Sequence, residues 1–156
     1  MDWFTLAICL LASGGAASTG AMFPPGMWYQ ELDKPPWVPP NWAFPVVWTV
    51  LYIASSVAAA RVSGLDGGGL AMAFWAMQIA FNTLWSPVFF GLRNMRASLV
   101  VMAFLWIAVA GTMISFFAVD PLSGFLFVPY LAWVSVAGAL NYSVYARNPD
   151  VRPIAL

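Results

Sequence analysis

The sequence predicts an all-α membrane protein, a bundle of five transmembrane helices with a long loop rich in proline and tryptophan between helices 1 and 2. Hydrophobic residues make up 62% of its 156 residues and charged residues only 8%, against about 45–50% and about 25% in soluble domains. So few charges could not cover a soluble surface, and the length suits a single domain over 1–156.

The charged residues separate five charge-free stretches of the chain, which are 3–23, 44–60, 70–91, 97–119 and 122–146. Roughly 20 apolar residues cross the hydrocarbon layer as a helix. We therefore expect helices over about 3–23, 44–62, 70–91, 97–119 and 122–146. The alternating segments of about ten residues that a transmembrane barrel needs are not visible.

The first predicted helix is rich in small residues over 13–20, which would leave room for a flat guest against aromatic neighbours. The loop that follows leads into "KPPWVPPNWAFPVVW" (34–48), with five prolines and three tryptophans. Prolines this dense exclude a helix interior, although Pro45 suits a first turn. The second predicted helix then aligns Phe44, Trp48 and Tyr52 at spacings of four.

The third predicted helix has two different faces. One face carries two amides and two rings at spacings of four, three and four: Gln78, Asn82, Trp85 and Phe89. The opposite face has small residues at spacings that let helices approach closely: Ala73, Ala76 and Ala80. The amides predict either hydrogen bonds within the bundle or a ligand pocket, and the alanines predict either internal packing or a dimer interface.

The fifth predicted helix carries another aromatic face, formed by Tyr130, Trp133, Ala137 and Leu140. Aromatic residues near helix ends typically form an interfacial belt, but Trp85 and Trp133 lie several residues inside their spans. The helix ends in "LNYSVYAR", in which Leu140, Tyr142 and Arg147 satisfy the loose pattern proposed for cholesterol contact.

The basic residues predict the orientation. Arg61 is the only one on the side of the N-terminus, whereas the other side holds Lys34, Arg93, Arg96, Arg147 and Arg152. The positive-inside rule places this second side in the cytoplasm. We therefore expect the N-terminus outside and the C-terminus inside, in a bacterial cell membrane by default.

Several function classes lack their usual residues. The sequence has no histidine, and its single cysteine is Cys9; no span carries the ionisable groups on which pumps and voltage sensors depend. Motifs for acid–base or metal catalysis are not visible. We expect no metal, no obligatory cofactor and no nucleic-acid partner, and a ligand that is largely apolar and aromatic.

Three segments resemble the signatures of the translocator protein family, also called TspO/MBR or peripheral benzodiazepine receptor-like, and most closely its bacterial members. They are "WYQELDKPPWVPPNW" (28–42), "FNTLWSPVFFG" (81–91) and "PYLAWVSVAGALNY" (129–142). The resemblance implies a five-helix receptor, often a homodimer, with an apolar pocket under a loop lid. It implies porphyrins such as protoporphyrin IX, cholesterol, and synthetic isoquinoline or benzodiazepine compounds as ligands.

The resemblance also implies roles for particular residues. Trp48, Asn82, Trp85, Trp133, Ala137 and Leu140 match pocket positions, and Phe44 and Val47 lie just inside a lid that includes Trp37 and Pro39. Together with Tyr52, Gln78 and Phe89, these are our predicted ligand-binding residues. Tyr142 matches the tyrosine of the sterol motif, but Arg147 follows it by five positions, whereas the animal motif has four.

Three functions follow as hypotheses. The first is a tetrapyrrole sensor or carrier, responsive to oxygen or light, whose porphyrin stacks on Trp48, Trp85 and Trp133. Its propionates would point toward backbone N–H groups, Lys34 or the basic cytoplasmic rim. The second is light-dependent porphyrin degradation, with Trp48 and Trp133 as redox residues and no acid–base catalytic residues. The third is sterol or lipid transport.

Overall fold

The computed structural model describes residues 2–154, and every regular element in that range is helical. The all-α prediction is thus confirmed. Six helices follow one another along the described chain: α1 (Trp3–Met22), α2 (Met27–Glu31), α3 (Ala43–Val62), α4 (Gly68–Ser86), α5 (Met95–Val119) and α6 (Pro121–Arg147). A π-helical turn, Pro87–Gly91, continues α4.

The helix ends follow local chemistry. The Asp2 carboxylate accepts from the backbone N–H groups of Phe4 and Thr5 at the start of α1, and Asn94 caps α5 through Ala97 N–H. These side chains satisfy donors that have no partner within the helix. Gly67 precedes α4 with a φ of 82°, a left-handed conformation that glycine adopts without steric cost.

The long helices pack around a shared apolar core. Helix α5 packs against α4 and α6, while α1 packs against α3 and α4. The core includes Leu51, Trp75, Leu105, Phe116 and Val134, all buried. Helix α1 contributes little to this core, since its buried residues are Cys9, Ser13 and Ala16.

Within residues 2–154, four helices are long and apolar enough to cross a membrane: α1, α3, α5 and α6. The chain is therefore an integral membrane protein. Helix α4 has 19 residues but falls outside this group, because Gln78 and Asn82 lower its hydropathy. The predicted loop between the first two spans is interrupted by α2, so it is not loop throughout.

An ion pair joins two elements at the end of the bundle opposite α2. Arg61 Nε and Nη2 donate to the two Asp120 oxygens at 2.8 and 3.2 Å, and Ser123 Oγ donates to Asp120 at 2.6 Å. These hydrogen bonds, that from Arg61 foremost, lower the pKa of Asp120 to about 2. The end of α3 is thereby fixed to the turn between α5 and α6.

Candidate ligand cavity

A cavity of about 550 Å³ lies between α1, α3, the end of α4 and α6. Its size falls within the range of about 300–1,000 Å³ that is usual for small-molecule sites. The segment 23–42 contributes to its wall through Pro25, Tyr29 and Asn41. The cavity therefore lies at the α2 end of the bundle.

Aromatic rings form two walls of the cavity. On α3, Trp48 stacks on Tyr52 with ring centroids 5.5 Å apart. On the opposite side, Trp85 stacks on Phe89 at 5.1 Å and meets Phe90 edge to face at 5.7 Å. The π-helical turn carries both phenylalanines, so this local change of helix geometry helps shape the cavity.

Small residues of α1 form a third wall. Ala16, Ala17, Gly20 and Ala21 line the cavity, and a Cβ added to Gly20 would meet no atom within 4 Å. Side chains this short leave open the space between α1 and the rings of α3 and α4.

Asn82 and Asn141 supply hydrogen-bonded amides to the mainly apolar wall. Asn82 Nδ2 donates to Tyr130 Oη at 2.7 Å. Asn141 Oδ1 accepts from Trp85 Nε1 at 2.9 Å and from Ser98 Oγ at 3.1 Å. The second asparagine therefore holds the Trp85 ring in place from α6.

The segment 23–42 is held over the end of the bundle by a second apolar cluster. Leu32 packs there with Phe89, Met95, Leu140 and Val144. Polar contacts support the packing, because Asn148 exchanges two hydrogen bonds with the backbone of Asp33 and Arg147 Nη1 pairs with the Asp33 carboxylate at 3.3 Å. The segment is thus tied to the end of α6.

Lys34 has a role different from the one expected. Its Nζ donates to the carbonyl oxygens of Tyr29, Gln30 and Leu32 at 2.7, 3.1 and 2.9 Å and lies 4.9 Å from the centre of the Tyr29 ring. All three ammonium protons are committed to the end of α2. Burial raises the pKa of the Tyr29 hydroxyl above its ordinary value.

Eight of the predicted ligand-binding residues line the cavity together: Phe44, Trp48, Tyr52, Asn82, Trp85, Phe89, Ala137 and Leu140. The other five do not: Trp37, Pro39, Val47, Gln78 and Trp133. Trp37 is 49% exposed in the segment 23–42, and Val47 packs against the central core. Trp133 lies behind Phe44, with ring centroids 5.6 Å apart, and its buried Nε1 has no partner within residues 2–154.

The other predicted residue sets are dispersed or exposed. Leu140 is buried, Tyr142 is 63% exposed and Arg147 pairs with Asp33, so the three sterol-motif residues do not face one site. Ala73, Ala76 and Ala80 are exposed on α4. Within residues 2–154, no three His, Cys, Asp or Glu side chains are grouped as metal ligands would be.

Sequence reasoning missed several lining residues, among them Tyr29, Asn41, Thr49, Ser86, Phe90 and Asn141. Asn141 had a usable signal, because a lone asparagine within an apolar span is costly unless it is hydrogen-bonded. Phe90 had no such signal in the sequence, because it reaches the same cavity as Phe89 from a π-helical turn.

The fold and the cavity define a class, the helical membrane proteins that contain a largely apolar cavity between their helices. The sequence profile of the TspO/MBR family matches residues 4–147. The chain belongs to this family, which confirms the resemblance of its three signatures.

Relatives support this membership along the whole chain. The chain is 53% identical to Protein CrtK of Rhodobacter capsulatus over the full length of both. It is 49% identical to the tryptophan-rich sensory protein of Cereibacter sphaeroides, covering 97% of this chain and 98% of the relative. It is 40% identical to the tryptophan-rich protein TspO of Chlorobaculum tepidum, over 93% and 96%.

Proposed function

We propose that this protein is a membrane receptor for flat, largely apolar ligands of the porphyrin class and acts as a tetrapyrrole sensor or carrier. The observation that carries the proposal is the cavity of about 550 Å³, enclosed by stacked rings on two sides and by small residues on a third. Such rings favour a planar aromatic guest. The name of the Cereibacter relative, a sensory protein, supports the sensor role.

A five-span arrangement with the N-terminus outside accompanies this proposal. Helix α4 joins the four more apolar helices as an additional span. Its two buried amides face the bundle rather than lipid, since Gln78 and Asn82 are 0% and 6% exposed. Arg93 and Arg96 lie between the end of α4 and the first turn of α5, and Arg147 and Arg152 lie at and beyond the end of α6. A basic cavity end favours the cytoplasmic side. Exposed Ala73, Ala76 and Ala80 support a homodimer through α4.

The propionates of a porphyrin would point toward this basic end. Lys34 is an unsuitable partner because three backbone carbonyls already occupy its protons. Arg93, which lies 5.8 Å from the Trp28 ring centre, and the exposed Arg96 are better candidates. The carboxylates would then stay at the polar surface while the macrocycle enters the apolar cavity.

The two alternative functions have less support. A redox mechanism that uses Trp48 and Trp133 requires both rings near the porphyrin, whereas only Trp48 lines the cavity. Sterol transport through Leu140, Tyr142 and Arg147 requires one site, whereas Tyr142 is exposed and Leu140 is buried. Cholesterol and the synthetic compounds, the other ligands that the family resemblance implies, remain candidates for the same cavity. Their binding there would not support either alternative function.

A fluorescence titration with protoporphyrin IX tests the proposal. Trp48→Ala removes a stacking wall, and we expect affinity to fall about tenfold. Trp106→Ala is the matched control, because Trp106 is 42% exposed on α5 and donates to Ser135 outside the cavity. Equal affinities of the two variants would contradict the proposed site.

A further inference from the structure

A chain of three buried polar side chains leads from the cavity into the bundle. Asn82 Nδ2 donates to Tyr130 Oη at 2.7 Å, and Tyr130 Oη donates to Gln78 Oε1 at 2.7 Å. Gln78 and Tyr130 are 0% and 1% exposed, and neither lines the cavity. Only the first member of the chain can touch a ligand.

The two ends of this chain differ in accessibility. At the inner end, Gln78 Nε2 is fully buried without a partner among residues 2–154. At the outer end, no group of the described chain donates to Asn82 Oδ1. That oxygen is not among the fully buried unpaired atoms, and its residue lines the cavity. A ligand can therefore complete the hydrogen bonding of Asn82.

The same three side chains can also bond in the opposite direction. An amide offers an acceptor oxygen and a donor nitrogen of similar size, and a tyrosine hydroxyl both donates and accepts. If both amides turn over, Gln78 donates to Tyr130 and Tyr130 donates to Asn82. Both directions keep two hydrogen bonds and leave one Gln78 atom unpaired, so neither has a clear advantage.

We propose that Gln78 and Tyr130 form a reversible hydrogen-bond relay that lets Asn82 present either an acceptor or a donor to the ligand. Gln78 is then a specificity-determining residue that never touches the ligand. The inference rests on the proposed function of the cavity. It predicts that the cavity prefers flat ligands with a polar atom of either kind over wholly apolar ones.

Substitution of Gln78 would fix the direction of the relay. In Gln78→Met, the Tyr130 hydroxyl loses its amide acceptor and keeps at most a weak sulfur acceptor, so donation to Asn82 Oδ1 becomes the favoured direction. The Asn82 nitrogen then faces the cavity, so this residue offers the ligand only a donor. In Gln78→Glu, an acceptor oxygen remains whether the carboxyl is protonated or not, so Asn82 Oδ1 can still face the cavity.

Three tricyclic probes of nearly equal shape test the relay by equilibrium binding to the purified protein: fluorene has no polar atom, carbazole donates, and fluorenone accepts. Wild type should bind carbazole and fluorenone about 2- to 10-fold more tightly than fluorene, as one hydrogen bond would give. Gln78→Met should keep the fluorenone preference and lose the carbazole preference. Gln78→Glu should keep the carbazole preference.

Two controls separate the relay from general damage. Ser55→Ala removes an equally buried hydrogen bond, from Trp75 Nε1 at 2.8 Å, and should leave all probe preferences unchanged. In a Tyr130→Phe background, Gln78→Met should not change the carbazole-to-fluorenone ratio further. If Gln78→Met also lost fluorene binding, the substitution would have damaged the cavity in general, and the carbazole preference of Gln78→Glu would decide. Loss of that preference would overturn the relay.

The remaining outcomes distinguish the relay from the cavity itself. Probes that bind wild type and Gln78→Met with the same carbazole-to-fluorenone ratio would overturn the relay and leave the cavity as a ligand site. A wild type that prefers only one of the two polar probes would refute reversibility. No probe binding to wild type would contradict the proposed site, and the relay with it.

Discussion

At the cavity end of the bundle, some side chains line the cavity and others hold the surrounding structure in place. Asn141 holds Trp85 through a hydrogen bond of 2.9 Å, whereas Trp48 and Phe89 present their rings to the cavity. Lys34 is of the second kind, because its ammonium group caps the short helix α2. A basic residue in a proline-rich loop thus stabilises the loop itself.

Lys34→Met should loosen the segment 23–42 without unfolding the bundle. Hydrogen bonds from a charged group contribute about 1.5–3 kcal/mol, and loss of the three should speed hydrogen–deuterium exchange of amides 29–38 about tenfold. The thermal midpoint should change little, because the core of the long helices does not include Lys34. Arg96→Met removes another charge from the same end as the control, and equal exchange in both variants would refute the capping role.

At the scale of single residues, the sequence patterns predicted much of the cavity. Spacings of three and four grouped Asn82, Trp85 and Phe89, which line one cavity, since one helix face can be read from periodicity. The same spacings also included Gln78, which lies deeper because the cavity ends at Asn82. Trp133 shares a predicted face with Leu140, but Phe44 from another helix stands in front of it. A single helix's pattern does not contain that contact.

At the scale of elements, charge-free stretches located the five long helices because ionised groups are costly in hydrocarbon. The observed bounds differ from the expected ones by up to two residues, except that 87–91 is π-helical. Helix α2 was not predicted because its five residues between Gly26 and Leu32 make little more than one turn, too short for a repeating pattern to show. Its stability depends on Lys34 and on packing against α4 and α6.

The ion pair between Arg61 and Asp120 should make the stability of the fold depend on pH. The folded-state pKa of Asp120 is lowered to about 2 from a model-peptide value of 3.8. Its stabilisation is therefore fully present above about pH 4–5 and is lost as the pH falls toward 2. Asp120→Asn should lower the thermal midpoint in detergent by a few degrees at pH 7.

The difference from wild type should shrink at pH 3, where Asp120 in the unfolded chain is already mostly protonated. Asp66→Asn provides the control, because Asp66 is an exposed carboxylate in the turn between α3 and α4. A difference that is the same at pH 7 and pH 3 would show that the ion pair does not stabilise the fold.

At the scale of the whole molecule, the bundle combines a tightly packed part with a loosely packed one. Helices α3 to α6 share the buried core, whereas α1 covers the cavity with small residues and buries few side chains. This division allows a cavity to exist without disrupting the core. Composition predicted the membrane class, and the small residues of 13–20 predicted space beside α1. Which side of α1 meets the cavity depends on how the helices pack.

The most direct test of the cavity as the ligand site fills it from α1. Gly20→Leu adds a side chain to a position that lines the cavity, and Gly15→Leu adds the same group to an exposed position outside it; a Cβ at either glycine meets no atom within 4 Å. In titrations with protoporphyrin IX, Gly20→Leu should weaken binding about tenfold or more by steric exclusion, while Gly15→Leu should bind like wild type. Undiminished binding by Gly20→Leu would contradict the account.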